Sequence, residues 1–186
     1  MPVQRNLRVA FVDRDGVINR DRDDYVKSVA EFEFLPGSPE ALARLHESGW
    51  MIVLVSNQAA IARGIITQDE LDRITDVLRN GVEAAGGKID AIYYCPHRPE
   101  DNCDCRKPLP GMILRASSDL GIDPKAAVFV GDAERDIRAG KAAGCKTVLV
   151  LSGKLTACEA AAIDPAPDFI AADLGQAADW ITSGNV

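Results

Sequence analysis

Four polar clusters in the sequence each follow an apolar run of strand length. Val9-Ala10-Phe11-Val12 gives way to Asp13-Arg14-Asp15-Gly16. The run from Met51 ends in Ser56-Asn57-Gln58, and the run Ala91–Tyr94 leads through a Cys/His segment to Arg106-Lys107-Pro108. The run from Ala127 ends in Gly131-Asp132, with Asp136 shortly after. Two carboxylates so close at the mouth of a buried strand repel each other, and a strand end alone does not need them. A divalent cation would offset that repulsion. One carboxylate would then be free to attack phosphorus. A lysine and hydrogen-bond donors can hold the equatorial oxygens, over which transition-state charge is spread. Carboxylates, a hydroxyl with amides, and a lysine therefore suit phosphoryl transfer.

A second cluster lies in "CPHRPEDNCDCRKP". Cys95-x-His97 and Cys103-x-Cys105 offer three thiolates and an imidazole, a closed tetrahedral zinc set with no open position, which reads as structural. The loop 95–107 ends directly in Arg106-Lys107, so fixing it fixes the lysine. Cys145 and Cys158 lie outside this cluster and read as incidental.

These clusters need elements that bring them together. Candidate strands are Arg8–Asp13, Met51–Ser56, Ala91–Tyr94, Ala127–Gly131, Thr147–Leu151 and Phe169–Ala171. Most are continuously apolar, as strands covered on both faces are. Helices fit between them. One runs from Ser38 to Ser48, with Pro39 near its start and Gly49 after its end. Another opens at Thr67, where Glu70 completes a capping-box pattern, and carries Leu71, Ile74, Leu78 and Val82 on one stripe. Others cover Gly111–Leu120, Glu134–Ala143 and Leu174–Thr182. Strand and helix in alternation predict a doubly wound α/β sheet, mostly parallel, with helices on both faces. Such a sheet gathers every one of the polar clusters at its carboxyl edge. The two irregular stretches, 16–37 and 95–110, are long for so small a chain and read as functional.

Composition agrees. A length of 186 residues, 47% hydrophobic, gives one core, and the chain reads as one domain, 1–186, with no insertion large enough for a separate cap domain. A net charge of -7 disfavours nucleic-acid binding. No apolar run reaches membrane-spanning length, and the N-terminus carries no signal-peptide pattern. Five cysteines, an odd total with three crowded together, fit a metal site in a reducing compartment, so a cytoplasmic location is expected. No heptad or large apolar helix face stands out, and a monomer is expected.

In order and at strand ends, Asp13-x-Asp15, Ser56, Lys107 and Gly131-Asp132 resemble the four motifs of the haloacid dehalogenase (HAD) superfamily of phosphatases. The resemblance covers nearly the whole chain and implies a HAD-like Rossmannoid fold. It implies that Asp13 is the nucleophile, forming an aspartyl-phosphate, and that Asp15 is the general acid and then the base. Asp13, the main-chain carbonyl of Asp15, and Asp132 would bind catalytic Mg2+. Ser56 and Lys107 would hold the phosphoryl group. Asp136 stays open between a supporting role, a helix-surface role and direct metal binding. The Cys/His loop is similar to that of two related groups, the heptose 1,7-bisphosphate 7-phosphatases and the histidinol-phosphate phosphatases. "SNQAAIARG", "YYCPH" and "CRKPLPGM" favour the first group, with a small sugar phosphate as substrate and a place in nucleotide-activated heptose synthesis for lipopolysaccharide core. A zinc-stabilised protein without catalysis is the alternative of another class. By the same resemblance, Asp21, Tyr25, Ser56, Asn57, Gln58, Ala59, Arg106, Lys107 and Ala133 would line the substrate site. Ala59 and Ala133 depart from the pattern, which has a serine at 59 and often a polar or basic residue at 133.

Overall fold

Along the first strand, Ala10 and Val12 pack into one apolar cluster and Val9 and Phe11 into another. Successive strand residues point to opposite faces, so a run that is apolar throughout must be covered twice. That requirement sets the architecture. The computed structural model describes residues 7–186. Its six strands are β1 (Val9–Val12), β2 (Met51–Asn57), β3 (Ala91–Cys95), β4 (Ala127–Gly131), β5 (Lys146–Val150) and β6 (Phe169–Ala171). They form one parallel sheet in the order β3-β2-β1-β4-β5-β6.

One face is covered by α1 (Ser38–Glu47), α2 (Gln68–Ala84) and α6 (Leu174–Trp180). Leu42, Leu45, Leu78, Val82 and Ala177 join Ala10, Val12, Ile52, Leu54, Val128 and Val148 there. The other is covered by α3 (Gly111–Leu120) and α4 (Glu134–Ala143). Met112, Ile113, Ala116 and Ala139 meet Val9, Phe11, Val53, Val55 and Phe129. A short helix, α5 (Ala157–Ala161), precedes β6.

The chain steps from β1 outward to β3, returns to β4 beside β1, and then steps the other way. The strand order reverses between β1 and β4, the place where open α/β sheets bind ligands at their carboxyl ends. The Asp13 N–H extends the sheet there, donating to the Val130 carbonyl at 2.9 Å.

The predicted strands and helices differ from these mostly by a residue at an end, with three informative exceptions. The helix α5 was not expected. It opens on a complete capping box, in which Thr156 Oγ1 accepts from Glu159 N–H and the Glu159 carboxylate accepts from Thr156 N–H. At Thr67 only half of the expected box forms. Thr67 Oγ1 accepts from Glu70 N–H at 3.2 Å, but the Glu70 carboxylate turns to Val29 N–H and Arg73 instead. The 16–37 segment thereby gains an anchor on α2. The last predicted helix ends at Trp180, and Ile181–Asn185 form a wider turn that contains Gly184 at positive φ.

Candidate active site

The end of β1, the turn after β4 and the first turn of α4 place Asp13, Asp132 and Asp136 so that one oxygen of each lies within 4.8 Å of the others, all three side chains buried. Lys107, also buried, enters from the loop after β3. Its Nζ lies 2.8 Å from Asp13 Oδ2 and 2.7 Å from Asp136 Oδ1, and donates to the Val55 carbonyl at 3.0 Å. Burial works against the Lys107 charge, but Asp13 and Asp136 more than offset it and hold the ammonium charged. Burial pushes the Asp13 carboxyl up, against the pull of Lys107.

Asp132 is the least satisfied member. Its buried Oδ1 has no hydrogen-bond partner. Burial, then Asp136 and Asp13, push its carboxyl up to about 8. Its nearest cation, Arg135 Nη2, stands 3.8 Å away. Two glycines close on it: a Cβ at Gly16, which has φ +80°, or at Gly153 would collide with the Asp132 carboxylate. Crowded carboxylate oxygens, one of them orphaned, are the donor chemistry that Mg2+ takes, and the residues fit such an ion. Asp136 is committed elsewhere, to Lys107 and, through Oδ2, to the Ala133 N–H at 3.1 Å.

Asp15 sits apart from that cluster in a hydrogen-bonded cage. Arg14 is 1% exposed and its guanidinium reaches both Asp15 oxygens at 3.0 Å. Asn19 Nδ2 donates to Oδ1 and Gln58 Nε2 to Oδ2, each at 2.9 Å. Burial alone would raise the Asp15 carboxyl; Arg14 and these donors outweigh burial and hold it below the usual carboxylate range. Gln58 also donates to Ser56 Oγ at 3.1 Å, linking the ends of β1 and β2. Asn57 makes a reciprocal pair with the Lys107 main chain, Nδ2 to O and Oδ1 from N, both at 3.1 Å.

The Cys/His loop closes as its spacing predicts. Cys95 Sγ lies 3.3 Å from Cys105 Sγ, 3.7 Å from Cys103 Sγ and 3.6 Å from His97 Nδ1, and His97 Nδ1 lies 3.3 Å from Cys105 Sγ. Zinc–sulfur bonds near 2.3 Å make tetrahedron edges of about 3.8 Å, so the four groups fit around one ion. Burial, then the neighbouring thiols, push Cys105 up to about 12: sulfurs this close are not thiolates together without a cation among them. Arg106 Nη1 donates to the His97 carbonyl at 3.0 Å and ties the loop to its own end.

The HAD-hydrolase-like family profile matches residues 104–177. The D-glycero-beta-D-manno-heptose-1,7-bisphosphate 7-phosphatase of Pseudomonas aeruginosa is 46% identical over 77% of this chain and 81% of its own. The Yersinia pestis protein of the same name is 38% identical over 95% of this chain and 90% of its own. The crystal structure of D,D-heptose 1,7-bisphosphate phosphatase from B. bronchiseptica, complexed with magnesium and phosphate, superposes with a TM-score of 0.89 at 38% identity, over 95% of this chain and 99% of that one. The chain belongs to the heptose-bisphosphate phosphatase family of HAD hydrolases.

In this HAD phosphatase, Asp13, Lys107 and Asp132 converge directly, and Ser56 and Asp15 join through Gln58. The residues expected to line a substrate are placed more variously. Arg106 borders a cavity of about 210 Å³ together with Arg98, Asn102 and Leu109. Asn57 and Gln58 use their amides on protein partners, as described. Ala59 is buried in the turn after β2. Tyr25, at φ 66°, packs against Ala60, Ile66 and Leu71. Asp21 accepts from Lys154 Nζ at 2.8 Å. Ala133 contributes its N–H to Asp136. Sequence reasoning passed over Arg14, the unnamed middle residue of Asp-x-Asp, and Arg135. It also passed over the 152–154 turn, where Ser152 Oγ donates to the Gly16 carbonyl at 2.8 Å. Position at the end of β5 is the signal that could have found this turn.

Proposed function

We propose that the chain is a phosphatase that uses Asp13 as nucleophile to remove the 7-phosphate of D-glycero-D-manno-heptose 1,7-bisphosphate. The observation that carries the chemistry is Asp13 clamped by Lys107 beside the orphaned oxygen of Asp132. The substrate rests on the family relationship, which favours the heptose ester over histidinol phosphate and leaves no place for a non-catalytic binding protein.

Asp13, Asp132 and the Asp15 carbonyl would hold Mg2+. When bound, the ion offsets carboxylate charge and the charge of a phosphoryl oxygen. Asp13 attacks phosphorus opposite the sugar oxygen, and the phosphorus–oxygen bond to the sugar breaks. Lys107 and Ser56 hold the equatorial oxygens through this step. Asp15 gives a proton to the departing sugar oxygen, then takes one from the water that attacks the aspartyl-phosphate and releases inorganic phosphate. Asp15 is caged as a carboxylate, the form the second step needs. For the first step it must take up a proton and loosen its hold on Arg14. Asp136 keeps Lys107 aligned. Arg106 meets the distal part of the sugar phosphate, and Asp21, Tyr25, Asn57, Gln58, Ala59 and Ala133 complete the wall of the site.

Cys95, His97, Cys103 and Cys105 would hold a structural Zn2+ that fixes the loop carrying Arg106 and Lys107. Residues 1–186 act as one domain. The cysteines among the described residues are free, which supports a reducing, cytoplasmic setting. No described helix is long and apolar enough to cross a membrane. Among the described residues the exposed large apolar side chains are few, Val29, Ile65, Leu109 and Leu114, which supports a monomer. Heptose 1-phosphate as the product supports a role in nucleotide-activated heptose synthesis for lipopolysaccharide core.

The test is phosphate release from both anomers of the bisphosphate with magnesium, with the product identified. Heptose 1-phosphate is expected. Release of the 1-phosphate instead, or no turnover, would overturn the reading.

A further inference from the structure

A bisphosphate brings two phosphate groups to the site, and the buried residues account for one. Lys107 is spent on Asp13, Asp136 and the Val55 carbonyl. Arg14 is spent on Asp15. At the rim, Lys154 is taken up by Asp21 and Asp23, at 2.8 and 2.6 Å. Arg135 differs from all three. It stands in the first turn of α4, its side chain 45% exposed, and its ion-pair contact is the loose 3.8 Å approach to Asp132. That oxygen belongs to a carboxylate that the proposed metal would occupy, which leaves Arg135 freer still.

Arg135 Nη2 lies 3.8 Å from Asp132 Oδ1, so its guanidinium stands beside the acid cluster that holds Asp13, yet half open to solvent. In the sheet order, α4 follows β4 on one side of β1, whereas Arg106 follows β3 on the other. The two arginines therefore belong to segments on opposite sides of β1. An arginine fork matches a phosphate with two parallel hydrogen bonds.

We propose that Arg135 joins Arg106 in binding the phosphate that is not hydrolysed and so strengthens the preference for a bisphosphate over a monophosphate. The inference rests on the bisphosphate reading above. Its test compares heptose 1,7-bisphosphate with heptose 7-phosphate, which share the reacting ester and differ only at carbon 1. For wild type, Arg135→Gln and Arg135→Lys, kcat and KM are measured on each substrate, with thermal melting to confirm folding. The Gln variant is expected to lose at least tenfold of the wild-type ratio of kcat/KM between bisphosphate and monophosphate, mainly through KM. The Lys variant should keep part of that ratio. An unchanged ratio in a folded Gln variant overturns the inference and leaves the function standing. An equal loss on both substrates also overturns it, because Arg135 would then act on the reacting phosphoryl group or on Asp132. A wild type inactive on the bisphosphate takes down both readings.

Discussion

The acid cluster and the thiol cluster hold like groups at similar spacing but are assembled differently. Asp13 and Asp132 come from strands far apart in sequence, and the sheet register β1–β4 brings them together. The cluster is buried and carries its own cation, Lys107, so three of its charges stand paired by protein alone. The four sulfur and nitrogen groups come from one loop, half-buried, shaped by a short turn at Pro99–Asp101. No strand pairing beyond Cys95 fixes that loop. A parallel sheet can preform a site for an ion that comes and goes; a loop of this kind needs its ion to have a shape. The two regions meet at Lys107, the last residue of the loop and the cation of the acid cluster.

The sharpest test of the acid side is Asp13→Asn. With the nucleophile gone, kcat should fall by about 10⁴-fold or more, on the scale seen when a nucleophile is removed. The fold should survive, because Asp136 still pairs with Lys107, and the melting temperature should not drop. Removing magnesium should silence turnover as fully but reversibly, with the melting curve little changed. A variant that retains even a hundredth of wild-type phosphate release would remove Asp13 from the nucleophile's role.

The thiol side should respond in the opposite pattern. Stripping zinc, or Cys103→Ser, should lower the melting temperature and cut kcat by about 10–100-fold even in saturating magnesium, because the loop no longer places Lys107. Metal analysis of the purified protein should find about one zinc per chain. Full activity without zinc would break the contrast between a preformed and an ion-dependent site.

How much of this was legible in the sequence follows the same division. Continuously apolar strands declare themselves, so the sheet and its carboxyl edge could be read. The thiol set could be read because all four ligands are near neighbours. Asp136 could not be assigned: helix position puts it on α4, and only tertiary packing shows it buried against Lys107. Arg14 looked like a spacer because its partner, Asp15, is adjacent and its burial depends on the whole fold. Thr156-x-x-Glu159 carries the capping pattern that opens α5 but went unread, whereas the same pattern at Thr67 was read and misled about Glu70. A capping motif marks a helix start but does not bind its glutamate when a tertiary partner, here Val29 N–H, competes.

Asn57 joins the two regions and gives a smaller effect. Asn57→Ala removes both hydrogen bonds to the Lys107 main chain. It leaves the N–H and carbonyl of a buried residue with poorer partners, at a cost of about 1–3 kcal/mol. Activity should fall about tenfold while zinc content stays at wild-type level. Lost zinc would mean that Asn57 supports the loop itself and not the junction.

The smallest effect is on metal affinity and follows from the sign of the Asp132 shift. Its carboxyl is pushed up to about 8, first by burial and then by Asp136 and Asp13. A proton and magnesium compete for it, so magnesium should bind more tightly as pH rises and level off above about 8. Between pH 7 and pH 8 the ionised fraction rises about fivefold for a single group of this kind, and the apparent Kd should fall by that factor. Folding has the opposite sign without metal. A carboxyl raised in the fold stabilises it fully only below the unfolded value, near 3.8, and that contribution is lost as pH rises through about 8. The metal-free protein should therefore melt progressively lower over this range, and magnesium should restore it. The thiol cluster, saturated with zinc, should show no matching change. A magnesium affinity that stays flat from pH 7 to 9 would mean that Asp132 is already ionised, with its orphaned oxygen paired in solution by Arg135.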